Sequence, residues 1–184
     1  MKTSLRSEGK HRLFIGIVPS DPILQSIDLF REKNVTIKNI RWVANRNAHV
    51  TCLFIGERPA EELVHIKSKI EEGLRHITPF QLHFDRFENI KRDQRSGMLW
   101  ARFKDSVEFK DLAMSLAMVL LDRQLKKDPI PHITVARYKK AGLFEIKKNV
   151  HWDSKVLDVK SIVLFESELK ESGAEYSALS SWSL

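Results

Sequence analysis

Apolar and polar positions alternate along this chain with two periods, and the periods change at regular places. Leu13 to Val18 is an apolar run interrupted only by Gly16, and it reads as a buried strand. Ser20-Asp21-Pro22 then offers a helix N-cap followed by proline at N1, ahead of a stripe of Ile23, Leu24, Ile27 and Phe30. Arg41-Trp42-Val43 is short and extended, and His49 to Ile55 is an apolar, β-prone run that ends at Gly56. Pro59 opens a second predicted helix with Leu63, Ile66, Ile70 and Leu74 at helical spacing. From Phe80 to Phe87 the period drops to two, with Phe80, Leu82 and Phe84 on one face of a half-buried strand.

After the polar stretch Lys91–Gly97 the order begins again. Met98 to Phe103 predicts a strand. Asp105 with Glu108 resembles a capping box for a helix carrying Phe109, Leu112, Leu116, Val119 and Leu120. Asp128 to Pro131 breaks that helix, and His132 to Tyr138 is another apolar strand. Val156 to Leu169 holds at least one more strand. Gly173 turns into a last one, with Tyr176, Ala178, Trp182 and Leu184 on one face. Each half thus reads strand, helix, strand. The expected organisation is a flexible tail over 1–11 and one two-lobed domain over 12–184, with the lobe boundary near 91–97.

With 184 residues the chain is long enough for a substantial core, and its 42% hydrophobic and 30% charged content is that of a globular protein. The net charge of +7 favours an anionic partner. Cys52 is the single cysteine, so no intrachain disulfide can form, which suits a reducing cytoplasm, the expected location. The polar start, Met1 to His11, lacks the apolar segment of a secretion signal, and no apolar run is long enough to span a bilayer.

Composition leaves the chemistry open; two triplets narrow it. His49-Val50-Thr51 and His132-Ile133-Thr134 share the pattern His-x-Thr. With seven histidines and five threonines, chance supplies roughly 0.2 such triplets. Residues i and i+2 of a strand face the same side, so each imidazole shares a face with its hydroxyl while Val50 and Ile133 point into a core. Two facing imidazoles make an acid–base pair near neutral pH. One can deprotonate water, the other can protonate a leaving alkoxide, and the threonines can donate to phosphate oxygens where charge builds. That chemistry needs no metal. The sequence also lacks a HExxH motif, paired CxxC, P-loop or GxGxxG motif, so no metal site and no cofactor are expected.

Arg41-Trp42-Val43 through His49-Val50-Thr51-Cys52-Leu53-Phe54-Ile55-Gly56-Glu57, and Pro131-His132-Ile133-Thr134-Val135-Ala136-Arg137, resemble the paired signatures of the 2H phosphoesterases. They are most similar to the RNA 2',3'-cyclic phosphodiesterases, also called 2'-5' RNA ligases. Ile162–Ser167 followed by Gly173–Tyr176 is also like that family, and the likeness runs over about residues 12–184. It implies an α+β fold of two lobes related by a pseudo-two-fold, with two antiparallel sheets around a central groove and helices outside. It implies metal-independent opening of an RNA 2',3'-cyclic phosphate end to a 2'-phosphate, with reversible 2'-5' joining, by a monomer without cofactor or membrane. It assigns His49 as general acid on the departing 3'-oxygen and His132 as base on water, with Thr51 and Thr134 beside them.

The fifth residue after each histidine matters in that family: Phe54 and Arg137 here. Arg137 matches an arginine that helps hold the phosphate, but strict alternation sends it to the opposite face, so a strand end or bulge is required. Phe54 could stack on a base, whereas alternation favours the core. Cys52, usually leucine in the family, falls opposite His49 and reads as a buried, inert thiol. Phe87 to Gly97 is charge-rich where relatives often carry prolines. Trp42 and Trp100 read as packing residues, and Lys91–Arg95 and Lys139–Lys148 as solvated faces. His11, His65, His83 and His151 lack a paired hydroxyl; His76 has one in Thr78, but that third His-x-Thr falls between the predicted helix and the Phe80 strand, not on a strand. The rival readings are a non-catalytic RNA-binding module and a sister enzyme acting on a small cyclic nucleotide.

Overall fold

The computed structural model describes residues 9–36, 39–91, 96–139, 155–170 and 173–184. Nine strands are laid out along the described chain: β1 (Lys10–Ile17), β2 (Ile40–Trp42), β3 (Val50–Pro59), β4 (Phe80–Lys91), β5 (Ser96–Phe103), β6 (His132–Lys139), β7 (Val156–Val159), β8 (Ser161–Lys170) and β9 (Gly173–Ser183). Three α-helices interleave with them: α1 (Asp21–Lys33), α2 (Leu63–Leu74) and α3 (Val107–Leu121). All strand pairs are antiparallel.

The strands run in the order β7-β4-β5-β6-β3-β1-β8-β9, with β2 on the far half of β6. This path divides naturally between β6 and β3, which share a single paired position, Val50 with Ile133. On one side lie β3, β1, β8 and β9; on the other β7, β4, β5, β6 and β2. The expected two lobes of an α+β fold are therefore present, but the division at 91–97 is not the one the chain uses. Its described ends, Lys91 and Ser96–Gly97, belong to β4 and β5, which pair with each other from Lys91 with Gly97 back to Phe84 with Phe103. The C-terminal β8 returns to pair with β1. Each lobe is thus assembled from both ends of the sequence. Residues 92–95 lie outside the described residues.

The helices exchange sides. α1 follows β1, yet Phe30 stacks on Phe87 of β4 with ring centroids 3.5 Å apart. α3 follows β5, yet it packs on β3 and on α2. Gly73 lets those two helices approach: a Cβ there would lie 3.0 Å from Val119 Cγ2, and Ser115 Oγ donates to the Gly73 carbonyl at 2.6 Å. Ile23, Ile27 and Phe30 of α1, and Phe109, Leu112 and Leu116 of α3, are fully buried, as their spacing predicts.

Several boundaries differ from the sequence reading for local reasons. Pro59 ends β3 in extended backbone, and a 3-10 turn over Ala60–Glu62 leads into α2. α1 starts at Asp21, which moves Pro22 to the second position, and Ser20 makes no side-chain cap. The α3 cap is Ser106, whose hydroxyl accepts from Phe109 N at 3.1 Å, because Asp105 is engaged by Arg102 at 3.2 Å. Lys10 and His11 belong to β1, not to a tail; residues 1–8 lie outside the described residues. In β9 the register slips at Leu179, since Phe165 pairs with Ala178 and Leu164 with Ser180. Tyr176 and Ala178 therefore face the Phe165 side, and Trp182 the Ile162 side, instead of sharing one face.

Candidate active site

The seam between the lobes passes through the middle residue of both His-x-Thr triplets. Val50 and Ile133 are each wholly buried, as the alternation requires. In an antiparallel pair with that register, His49 lies toward Thr134 and Thr51 toward His132, on the face opposite the two aliphatic side chains. His49 and Thr134 do line one cleft together, with Arg137, Asn47 and Tyr176. Two short, distant segments of the chain thus bring His49 and Thr134 into one cleft, with Thr51 and His132 beside them on the same face of the strand pair.

Each imidazole is posed by the same local device. His49 Nδ1 lies 2.8 Å from the carbonyl of Asn47, and His132 Nδ1 lies 2.8 Å from the carbonyl of Ile130. A carbonyl can only accept, so each ring keeps its proton on Nδ1 and leaves Nε2 for chemistry. Ile130 precedes Pro131, which holds its backbone extended. Asn47 is itself anchored, its side-chain amide donating to the Ala174 carbonyl at 3.0 Å. The turn that carries Asn47 is tied to α1 through Arg31, which donates to Asp28 at 2.6 Å, to Asn45 at 2.8 Å and to the Val43 carbonyl.

The two triplets share a second device. In β3, Gly16 pairs with Thr51 and Ile15 with Leu53, which leaves Cys52 as an extra residue. In β6, Trp100 pairs with Thr134 and Leu99 with Ala136, which leaves Val135 as the extra residue. Both bulges sit three positions after the histidine. Each reverses the parity of the later strand positions, so Phe54 and Arg137 return to the groove face. Phe54 is accordingly 68% exposed, not buried as simple alternation suggests. Arg137 has the bulge its placement required, and its guanidinium touches Met98 Sδ at 3.3 Å. Cys52 is buried, and desolvation holds its thiol far above the usual range, so it is inert.

The surroundings of the two rings differ. His49 packs against Phe14 at 4.8 Å and edge-on to Tyr176 at 5.0 Å. His132 lies flat on Trp100, with centroids 3.6 Å apart and planes at 20°. Arg102, its direct partner across the β5–β6 pair, is held by Glu88 and Asp105. Burial pushes both histidines below the ordinary 6.5. The Asn47 carbonyl restrains the shift at His49, while the Arg137 charge adds to it. His132 falls to about 4, since the charges of His49, Arg102 and Arg137 reinforce its desolvation.

Trp100 is therefore a site residue that the packing assignment missed. A signal was present: β5 alternates, with Leu99, Ala101 and Phe103 inward and Met98, Trp100 and Arg102 on the other face. Phe14, Tyr176 and Arg41 were also missed. Trp42 packs edge-on to Phe30 at 6.2 Å, as its reading as a packing residue expects. His11 pairs with Glu166 at 2.8 Å on the β1–β8 edge. His151 and residues 140–148 lie outside the described residues. Among the described residues, no group of three or more His, Cys, Asp or Glu is placed to hold a metal ion, and no helix is long and apolar enough to cross a membrane.

Two imidazoles with free Nε2 atoms, a guanidinium and a two-lobed groove define a phosphoesterase site. The chain belongs to the 2'-5' RNA ligase superfamily, the 2H phosphoesterases; the family's model matches residues 19–171. It is 29% identical over 133 residues to the RNA 2',3'-cyclic phosphodiesterase of Archaeoglobus fulgidus, covering 70% of this chain and 73% of that one. The RNA 2',3'-cyclic phosphodiesterase of Methanocaldococcus jannaschii is 26% identical over 179 residues, covering 93% and 99%. The apo crystal structure of E. coli LigT shares the fold at a TM-score of 0.78, with 23% identity over 96% of this chain and 99% of that one.

Proposed function

We propose that this phosphoesterase opens 2',3'-cyclic phosphate ends of RNA to 2'-phosphates by two-histidine acid–base catalysis without a metal, and joins RNA 2'-5', reversibly, when a 5'-hydroxyl takes the place of water. The observation that supports this reading is the Val50–Ile133 pairing, which puts His49 and His132 on the same face of the strand pair with Nδ1 of each committed to a carbonyl. Two relatives bearing the name RNA 2',3'-cyclic phosphodiesterase support the substrate class.

The electrostatics support His132 as base and His49 as acid. A protonated His49 helps hold His132 neutral, so the pair carries one proton divided in the required sense. His132 Nε2 takes a proton from water as it attacks phosphorus. His49 Nε2 gives its proton to the departing 3'-oxygen as that P–O bond breaks, which leaves the phosphate on the 2'-oxygen. In joining, a 5'-hydroxyl of RNA replaces water: it gives its proton to His132 as it attacks phosphorus, and His49 protonates the departing 3'-oxygen, which leaves a 2'-5' diester; in the reverse of either reaction the 3'-hydroxyl attacks and the two imidazoles exchange roles. Arg137 and the hydroxyls of Thr51 and Thr134 donate to the non-bridging oxygens, where charge grows. Phe54, exposed on the same face, offers a surface for a base. The arginine-lined groove repels a divalent cation, which suits chemistry without one. Both triplets come from one chain, so a monomer is sufficient, and the lone buried thiol suits a reducing cytoplasm.

The test is turnover of a dinucleotide 2',3'-cyclic phosphate in excess EDTA, with the product identified by its position. EDTA-resistant formation of the 2'-phosphate is expected. Absence of turnover, or its loss to chelator, overturns the reading.

A further inference from the structure

The cleft beside His49 extends away from the triplets along β2 and the start of β9, and it carries three arginines: Arg137, Arg41 and Arg46. Arg41 and Arg137 are direct partners in the β2–β6 pair, so their side chains lie next to each other on one face. Like charges placed directly opposite across a strand pair destabilise it. Arg46, on the turn that carries Asn47, adds a third positive charge to the same cleft.

Two further features keep this cluster in place. Gly173 opens β9 at φ +125°, and a Cβ there would come within 2.9 Å of Arg41 Nη1, so the guanidinium rests on bare backbone. Glu175 is the one carboxylate among the described lining residues, against three arginines; Lys170 engages it at 2.5 Å, and Lys170 and the nearby Arg46 together hold it charged. The cleft therefore keeps a positive excess. A single phosphate held between the histidines is met by Arg137; Arg41, one strand further out, and Arg46 are placed for a second anion.

We infer that Arg41 and Arg46 form a second anion subsite that holds the phosphodiester linking the terminal, cyclic-phosphate-bearing nucleotide to its 5' neighbour. This inference rests on the cyclic phosphodiesterase reading and sharpens it: the enzyme prefers a polynucleotide end to a free cyclic mononucleotide. An anion bridging Arg41 and Arg137 turns a destabilising like-charge pair into two charge-assisted contacts.

The experiment compares kcat/KM on a dinucleotide 2',3'-cyclic phosphate with that on a nucleoside 2',3'-cyclic phosphate lacking any 5'-phosphate. The wild type should favour the dinucleotide. In Arg41→Ala that preference ratio should fall about 10- to 100-fold, the worth of a hydrogen bond to a charged group, and Arg46→Ala should lower it in the same direction. Arg137→Ala should depress both substrates together. The salt dependence of log kcat/KM on the dinucleotide should become shallower by about 0.7 in Arg41→Ala, as for one lost phosphate contact on a single strand. An unchanged ratio in both variants, or a lowered unfolding temperature with equal losses on both substrates, overturns the subsite and leaves the cyclic phosphodiesterase reading standing. Absence of wild-type turnover on either substrate overturns both.

Discussion

His49 and His132 hold equivalent places in the two lobes, and their backbone settings match almost atom for atom. His49 stands just before β3 and His132 is the first residue of β6; each bonds Nδ1 to the carbonyl two residues back at 2.8 Å, and each is followed by a bulge three residues on. The difference lies in what covers them. His49 is set among the rings of Phe14 and Tyr176, with Arg137 as its positive neighbour. His132 is stacked face to face on Trp100 with three positive neighbours, His49, Arg102 and Arg137. Repetition of the local motif supplies two imidazoles of the same tautomer and aim. Only the unequal surroundings distinguish them, and under the proposed mechanism that difference would separate a proton donor from a proton acceptor.

The comparison breaks outright if one histidine is dispensable. His49→Ala and His132→Ala should each lower kcat/KM by about 10³- to 10⁴-fold, and the double variant should be little worse than either, because the two act as a unit. A double variant showing the product of the two losses would mean the rings act independently. Arg137→Ala should cost roughly 100-fold and Thr51→Ala or Thr134→Ala roughly 10-fold, the two threonines alike if the lobes contribute symmetrically. These losses would be read from steady-state rates with the dinucleotide.

Two aromatic substitutions sharpen the distinction between acid and base. The base must be neutral, so kcat/KM falls as pH drops through the His132 value of about 4; the acid must be protonated, so it falls as pH rises through the lowered His49 value. Trp100→Leu admits water to His132, which raises its pKa and should move the acid limb of the profile to higher pH. Trp100→Phe, which keeps a flat ring, should restore much of it. Phe14→Leu should instead raise the basic limb. The opposite pattern of limbs would exchange the two roles. NMR titration of the two rings gives the same result without turnover.

The smallest effect is on stability. His132 binds its proton more weakly folded than unfolded, so between about pH 6.5 and pH 4 the unfolded chain takes up more protons and stability falls as pH falls. The loss from this group is up to about 3 kcal/mol. Denaturant unfolding at pH 7 and pH 4.5 should show His132→Ala losing less stability than the wild type over that interval.

Much of this site was readable from residue order. The triplets, the inward Val50 and Ile133, the α1 stripe and the need for a bulge before Arg137 come from strand and helix periods. Phe54 was not placed correctly, because one unpaired residue, Cys52, inverts the side chains that follow it in β3 as far as a second unpaired residue, Ile55, and period-two reasoning cannot detect a one-residue insertion. The same blindness put Trp182 on the face of Tyr176. The lobe boundary was misplaced because the return of β8 to β1 joins opposite ends of the chain, and no local pattern encodes it.

By itself the amino-acid sequence determined which groups would react and how each would be presented locally: imidazole and hydroxyl on one strand face, with a backbone carbonyl two residues behind each ring. Tertiary structure alone decided that the two faces meet, at one paired position between β3 and β6, and that one ring would be harder to protonate than the other. The first set of properties depends on bond geometry within a few residues. The second depends on strand pairing and on the loss of water around a buried charge, and both are fixed by side chains that arrive from distant parts of the chain.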